Sequence, residues 1–343
     1  MPLNYSMGEE IDDVVLDLIS RVGRTHSPDL IREMATTAFK LVQDDATRGD
    51  LKIMNSALKE LRYAFRLFAP FRAYRKVSIF GSARIAPDAE EYKMAENLAG
   101  QIVRAGLLVI TGAGPGIMEA GNRGAGDGGS FGLAIRLAME PETNPYIRRP
   151  DRLINFKYFF TRKLVFIKES DAFVLFPGGF GTMDECFELL TLLQTGKCDP
   201  RPVVLIDPPG SGYWDDWFDF LDKRLAGRGL IDPRDFHLLT RVSQPERAIE
   251  EIRTFYSNYH SSRYVGDKLL MRLDRAATDE QLADWGGRFA DIVGDAGIRR
   301  SDLTPEDLED PLLQQLHGIS MRFNRKSFAR LRELIDAING RAG

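Results

Sequence analysis

A carboxylate placed just after a run of glycines, where a strand turns into a helix, can stand beside an anion held by backbone N–H groups. Pro177-Gly178-Gly179-Phe180-Gly181-Thr182-Met183-Asp184-Glu185 has this form. An apolar run, Ala172–Phe176, precedes it and predicts a buried strand; Cys186–Leu193 follows and predicts a helix. Gly178, Gly179 and Gly181 let the backbone approach a ligand closely, and Glu185 then lies beside the bound group, three residues into the predicted helix. The same residues have a purely structural reading. Thr182-x-x-Glu185 fits a capping box, in which Glu185 bonds back to the backbone of Thr182. A plain cap does not need three glycines in front of it.

Two further glycine turns follow predicted strands: Gly81-Ser82-Ala83-Arg84 after Ser78-Ile79-Phe80, and Gly112-Ala113-Gly114-Pro115-Gly116-Ile117-Met118-Glu119 after Leu108-Val109-Ile110. A single such turn carries little information. Three at the ends of strands converge on one sheet edge and predict a pocket lined by backbone N–H groups, with Gly81, Ser82, Gly114, Gly116 and Glu119 in its wall. The second turn departs from a dinucleotide fingerprint, because Ile117 stands where the third glycine belongs. That argues against an NAD-type dehydrogenase. Between the second and third turns lies Asn155-Phe156-Lys157-Tyr158-Phe159-Phe160-Thr161-Arg162-Lys163-Leu164, read as a helix with an aromatic inner and a basic outer face. Adjacent Arg162 and Lys163 point in different directions. Arg162 is the better candidate for the pocket, since its planar fork grips phosphate or a purine edge.

The elements that would position these residues fall into three regions. Residues 1–74 predict a helical N-terminal extension, with Ser27-Pro28 opening its second helix. Its third helix shows Leu51, Met54, Leu58, Leu61, Phe65 and Phe68 in 3-4 alternation, a seam suited to core packing or oligomer contact. Residues 75–257 alternate short apolar runs (Val77–Phe80, Leu107–Thr111, Phe131–Ile135, Ala172–Phe176, Val203–Ile206) with amphipathic stretches near 88–104, 116–126, 157–169, 182–195, 214–226 and 245–256. This predicts an α/β, doubly wound, mostly parallel sheet of Rossmann-like form, whose ligands bind at the carboxyl ends of the strands. Residues 258–343 predict a helical C-terminal extension: Leu269, Leu273, Leu282, Trp285, Phe289 and Ile292 form one apolar set, and Phe328 to Ile338 another. Arg299-Arg300-Ser301-Asp302 reads as a loop and Thr304-Pro305-Glu306 as a helix start.

Composition narrows the function. The chain has 343 residues and a net charge of −4, which gives no reason to expect nucleic acid or a membrane surface as partner. Two cysteines, Cys186 and Cys198, are read as reduced packing residues in a cytoplasm. The four histidines, His26, His237, His260 and His317, are too dispersed for a histidine-rich metal site. Met1–Ser6 carries no basic apolar signal, and no apolar run reaches membrane length.

The pair Gly112–Glu119 (G-x-G-P-G-I-M-E) and Pro177–Glu185 (P-G-G-x-G-T-x-x-E), with Arg162-Lys163 between them, resembles the LONELY GUY family over roughly residues 75–257. The resemblance implies a phosphoribohydrolase that cuts the N-glycosidic bond of a nucleoside 5′-monophosphate, purine or cytokinin-type, to free base and ribose 5-phosphate. It implies Arg162 and Glu185 as catalytic residues and a 5′-phosphate held by Gly178, Gly179, Gly181 and Thr182. Gly114, Gly116 and Glu119 would complete the nucleotide site, with Lys163 in the substrate-binding set. It implies neither metal nor cofactor, and a homodimer or larger homo-oligomer with the site near the subunit interface. The family's Arg-Lys-x-x-Met pattern has Phe166 at its fifth position here, a residue that either touches the base pocket or packs. The chemistry of the residues agrees: breaking a C1′–N bond builds positive charge on the ribose, and a carboxylate stabilises it and orients water. A non-catalytic nucleotide sensor of the same fold is the alternative; lysine decarboxylation lacks a pyridoxal-phosphate lysine context.

Overall fold

The structure, a computed structural model, describes residues 6–23, 25, 27–136 and 143–341. Met1–Tyr5 and His26, which entered the sequence reading, lie outside the described residues. The chain divides into two compact units, residues 1–62 and 63–343.

The first unit is helical. It holds α1 (Glu9–Val22), α2 (Pro28–Gln43) and most of α3 (Arg48–Phe68). Ser27 is the N-cap of α2 and Pro28 its first residue, as the sequence predicts. An ion pair between Arg32 of α2 and Asp12 of α1 joins the two, 2.9 Å apart. Among the described residues of this unit, Val15 is the one buried apolar side chain.

The second unit begins with a parallel sheet. In chain order it runs β1 (Lys76–Phe80), α4 (Glu90–Arg104), β2 (Leu108–Thr111), α5 (Ile117–Ala125), β3 (Ser130–Ile135), β4 (Leu153–Phe156), α6 (Phe159–Glu169), β5 (Ala172–Leu175), α7 (Phe180–Gln194), β6 (Val203–Ile206), α8 (Tyr213–Phe220), β7 (Leu239–Val242) and α9 (Pro245–Phe255). The strands lie in the order β4-β3-β2-β1-β5-β6-β7, every pair parallel. The doubly wound class expected from the alternation is therefore present. Side chains on the two faces of β1 meet different helices. Val77 and Ile79 join a core with Tyr92, Leu98 and Ile102 of α4 and Ile117 of α5, while Phe80 packs on Phe166 of α6, ring centroids 4.9 Å apart. The chain leaves β1 toward β2, then crosses back to β5 on the other side. That reversal opens a crevice at the carboxyl ends of β1 and β5.

Two strands were not foreseen. β4 takes up Asn155 and Phe156, so the basic aromatic helix starts at Phe159, and β7 closes the far edge. The helix expected over 214–226 ends at Phe220 and continues as a π turn, Leu221–Leu225.

The C-terminal part carries the expected helices and also a sheet. β8 (Tyr259–Val265), β9 (Lys268–Leu273), α10 (Asp279–Arg288), α11 (Ala290–Val293), β10 (Arg299–Ser301), α12 (Pro305–Glu309), β11 (His317–Met321) and α13 (Phe328–Ile338) follow one another. The four strands form an antiparallel sheet in the order β10-β11-β9-β8. Leu269 and Leu273, assigned above to a helical set, are strand residues: a spacing of four satisfies both periods. Arg299–Ser301 is a strand rather than a loop, whereas Thr304 does cap a helix, through a capping box with Asp307. This part is tied to the parallel sheet by buried charge: Glu251 of α9 accepts from Arg332 at 2.7 Å and from Arg341 at 2.6 Å.

Candidate active site

The three glycine turns meet at the crevice between β1 and β5, and backbone hydrogen bonds lock them together. Ser82 N–H donates to Pro177 O (3.0 Å), joining the first turn to the third, and Ile117 N–H donates to Ser82 O (3.1 Å), joining the second to the first. Two glycines are required by these approaches. Gly116 has φ 66°, and a Cβ there would fall 2.4 Å from Ser82 O; a Cβ on Gly81 would fall 2.7 Å from the Ile117 side chain. Gly114 lies over the Met118 side chain.

A buried polar network holds the second turn from beneath. Thr111 Oγ1 donates to Asn122 Oδ1 (2.8 Å) and accepts from Ala113 N–H (3.0 Å). Asn144 Nδ2 donates to Gly114 O (3.0 Å) and to Asn122 Oδ1 (2.9 Å), and Asn122 Nδ2 donates to Ser130 Oγ (2.9 Å). Ala113 itself has φ 61°, unusual for a residue with a Cβ, and its carbonyl accepts from Asn144 N–H. Glu119 is oriented by Tyr92, whose buried ring presents its hydroxyl to Oε1 at 3.0 Å. Asn122, Asn144 and Tyr92 escaped the sequence reading. Their roles depend on tertiary placement, and nothing in their local spacing signals it.

The third turn resolves the ambiguity of Thr182-x-x-Glu185. α7 starts at Phe180 with Gly179 as its N-cap and no capping side chain. Thr182 is the helix's third residue and Glu185 its sixth, so no capping box exists and Glu185 stands in the second turn rather than the first. The amides of Phe180, Gly181 and Thr182 open the helix without a side-chain cap, the arrangement that receives an anion. A Cβ on Gly178 would fall 2.1 Å from Thr182 Oγ1, whereas at Gly179 and Gly181 it would meet nothing within 4 Å. Those two glycines therefore border open space, and Tyr213 donates from its hydroxyl to Gly178 O.

Arg162 and Lys163 leave α6 in different directions. Arg162 Nε donates to Leu133 O within β3 (2.8 Å), and its guanidinium lies over the Phe166 ring, 5.3 Å from the centroid. It passes so close to the second turn that a Cβ on Gly112 would fall 2.5 Å from Nη2. Phe166 is fully buried against Phe80, so it packs rather than lining a base pocket. Lys163 turns to α7. Its ammonium lies 2.7 Å from Glu188, 2.9 Å from Asp184 and 3.7 Å from Glu185 Oε2. Expected to touch substrate, it is surrounded by carboxylates of the protein itself. Burial alone would lower the Lys163 pKa, but its bonds to Glu188 and Asp184 and the Glu185 charge hold it above the ordinary lysine value. Glu185, about nine-tenths buried, has its pKa raised by burial; Lys163 and Arg162 pull it down, and Glu188 and Asp184 push it up. The arrangement gathers an amide cradle, a partly desolvated carboxylate one turn further along the same helix, and two cations of different reach.

Comparison with known proteins agrees with these motifs. A family model described as possible lysine decarboxylase matches residues 116–252. The probable cytokinin riboside 5′-monophosphate phosphoribohydrolase LOG6 of Arabidopsis thaliana is 30% identical over 176 residues, covering 50% of this chain and 83% of the relative. LOG3 of the same plant, a cytokinin riboside 5′-monophosphate phosphoribohydrolase, is 25% identical over 205 residues, covering 59% and 91%. Among solved structures, the molybdenum cofactor binding protein of Rippkaea orientalis is 19% identical, with a TM-score of 0.39 over 53% of this chain and 96% of its own. With both glycine motifs and the Arg162-Lys163 pair assembled at one sheet edge, the chain belongs to the LONELY GUY family.

Proposed function

We propose that the protein hydrolyses the N-glycosidic bond of a nucleoside 5′-monophosphate, purine or cytokinin-type, to free base and ribose 5-phosphate. The observation that carries this is the pairing, on α7, of an uncapped glycine-bordered N-terminus with the partly desolvated Glu185 one turn along. The 5′-phosphate takes the amides of Phe180, Gly181 and Thr182, beside Gly178 and Gly179, and the ribose extends toward Glu185. As the C1′–N bond lengthens, positive charge grows on the ribose and the Glu185 carboxylate stabilises it. The same carboxylate orients the attacking water, whose hydroxyl goes to C1′ while a proton goes to the departing base. Arg162 offsets the charge of phosphate and carboxylate, and Glu119, held by Tyr92, supports the nucleotide from the second turn together with Gly81, Ser82, Gly114 and Gly116. Lys163 holds Glu185 ionised through their 3.7 Å contact and acts on substrate only through it.

The working form is a homodimer or larger. Phe159, Phe160 and Leu164 on α6 and Phe180 and Phe187 on α7 are exposed beside the site, Phe180 by 96%. An apolar patch of this kind marks an interaction surface, and a second copy is the partner the family suggests. A reducing cytoplasm suits the two cysteines: burial pushes the Cys186 thiol up to about 12, which leaves it unreactive near neutrality. No helix of the described residues is long and apolar enough to cross a membrane.

The test is a panel of nucleoside 5′-monophosphates, each incubated with the protein and chromatographed for free base. Release of base that is lost in Glu185→Gln and Arg162→Ala, with the fold retained, supports the proposal. Tight nucleotide binding with no base released over a long incubation would establish the non-catalytic sensor instead.

A further inference from the structure

The three glycine turns follow β1, β2 and β5, and a fourth strand end reaches the same place. After β6 the chain runs through Asp207-Pro208-Pro209-Gly210-Ser211-Gly212 and enters α8 at Tyr213. Trp214, the next residue, is almost fully buried and donates its indole N–H to Ile206 O at the end of β6 (3.2 Å). Trp217, one turn on, packs on Phe187 of α7, ring centroids 5.8 Å apart. α8 is thereby fixed both to the sheet and to the helix that carries Glu185. From this anchored helix the half-buried Tyr213 extends its hydroxyl to Gly178 O, 2.5 Å away.

That carbonyl belongs to the peptide leading into the amide cradle. The Gly178–Gly179 peptide is trans, and in a trans peptide the C=O and the following N–H point in opposite directions. With Gly178 C=O turned to Tyr213, the Gly179 N–H points away from it. β5 lies between β1 and β6 in the sheet, so the direction away from α8 is the β1 side, where the crevice opens. Among the described residues, that amide has no acceptor within the protein. The peptide is flanked by two glycines, which let its plane turn over with little steric penalty. A flip would present a carbonyl oxygen to the phosphate in place of an N–H. The bond from Tyr213 selects between these two orientations.

We propose that Tyr213 is a positioning residue for the phosphate site: its hydroxyl holds the Gly178–Gly179 peptide so that the Gly179 N–H faces the anion together with the amides of Phe180, Gly181 and Thr182. This rests on the reading of α7 as the phosphate cradle, and it does not require hydrolysis. The cradle grips the phosphate equally before and during cleavage of the distant C1′–N bond, so Tyr213 acts on affinity and leaves the chemical step alone.

Tyr213→Phe tests it, since it removes the hydroxyl and keeps the ring. Calorimetric titration with inorganic phosphate and with ribose 5-phosphate reads the cradle directly, beside kcat and KM for base release from adenosine 5′-monophosphate. Both dissociation constants and KM are expected to rise about threefold to tenfold, the worth of one hydrogen bond, with kcat and the melting temperature held. Wild-type affinity for both anions in Tyr213→Phe overturns the proposal, whether or not melting changes. A fall in kcat at unchanged KM also overturns it, because it would place Tyr213 in the chemical step. Wild-type protein that binds neither anion overturns the cradle and this proposal together. Should wild type bind the anions yet release no base from any nucleoside 5′-monophosphate, the hydrolase reading fails, and weakened binding in Tyr213→Phe supports the positioning role all the same.

Discussion

Gly112→Ala is the sharpest test of how the site holds Arg162. The new Cβ would fall 2.5 Å from Arg162 Nη2 and 2.6 Å from Met118 Sδ, against about 3.5–4 Å for an ordinary contact. Both obstructing atoms lie near the free ends of flexible side chains, so the backbone need not move and the fold survives; the overpacking cost sits at the low end of about 1–3 kcal/mol. Met118 is partly exposed and unbranched, so it can take another rotamer, but Arg162 is pinned at Nε by Leu133 O. Its outer nitrogens must therefore retreat by roughly 1 Å, a displacement that costs on the order of a hundredfold in rate when the group acts in the transition state. The assay is base release from a nucleoside 5′-monophosphate, with kcat and KM measured beside the melting temperature. The expected result is a kcat about a hundredfold down, roughly 2.7 kcal/mol of barrier, with melting nearly unchanged. The double variant Gly112→Ala with Arg162→Ala should be no slower than Arg162→Ala alone, because both changes act through one group. Wild-type kcat in Gly112→Ala, or a double variant whose losses simply add, would refute the reasoning.

Gly181→Ala should separate ligand from protein: its Cβ meets no protein atom within 4 Å, so melting holds or rises slightly with helix propensity, while KM for the nucleotide increases severalfold; an unchanged KM would remove the phosphate from this helix end. Lys163→Met should move the acidic limb of the kcat–pH profile to higher pH. Burial already raises the Glu185 pKa and Lys163 opposes that rise, so losing the ammonium leaves the carboxylate protonated at a pH where wild type is ionised; a limb that stays put, or a change in KM alone, contradicts the positioning role. Glu251→Ala leaves Arg332, which is almost fully buried, with Asp336 as its remaining carboxylate partner, 3.1 Å away, and should destabilise the folded chain by about 1–3 kcal/mol in denaturant titration, with no change in KM.

What the sequence revealed of the fold follows from where each strand sits. β1, β2, β3, β5 and β6 are interior strands of a parallel sheet, covered on both faces, and such strands read as plain apolar runs. β4 and β7 are the two edges. Each has exposed positions, Asn155 in one and Arg241 in the other, and these polar residues hid the strands. The antiparallel C-terminal sheet was hidden for a different reason: β10 is three residues long, β8 and β11 carry exposed positions, and in β9, buried from Leu269 to Leu273, Leu269 with Leu273 fits a helix as well as a strand. The site shows the same division. Glycines at strand ends advertise themselves because close backbone approach admits few other residues, as Gly116 against Ser82 O demonstrates. The side chains that brace the turns, Asn122, Asn144 and Tyr92, have no such constraint on their neighbours in sequence.

The geometry of α7 explains why a motif so short can be so informative. A ligand bridging phosphate cradle and carboxylate must span a fixed distance, and one rigid element fixes it better than two mobile ones. Here both ends lie on the same helix: the opening amides at Phe180–Thr182 and the carboxylate of Glu185 one turn on, with about 5.4 Å of rise per turn between them. The three carboxylates near Lys163 do not compete for the role equally. Asp184 is well exposed and Glu188 partly so, and solvent screens both, whereas Glu185 has lost most of its water. Loss of water raises the energy of its charge, and a developing cation on the sugar would recover that energy as the bond breaks. On the proposed reading, then, Lys163 keeps Glu185 ionised while the substrate is bound, and burial makes that ionisation productive when positive charge appears opposite it.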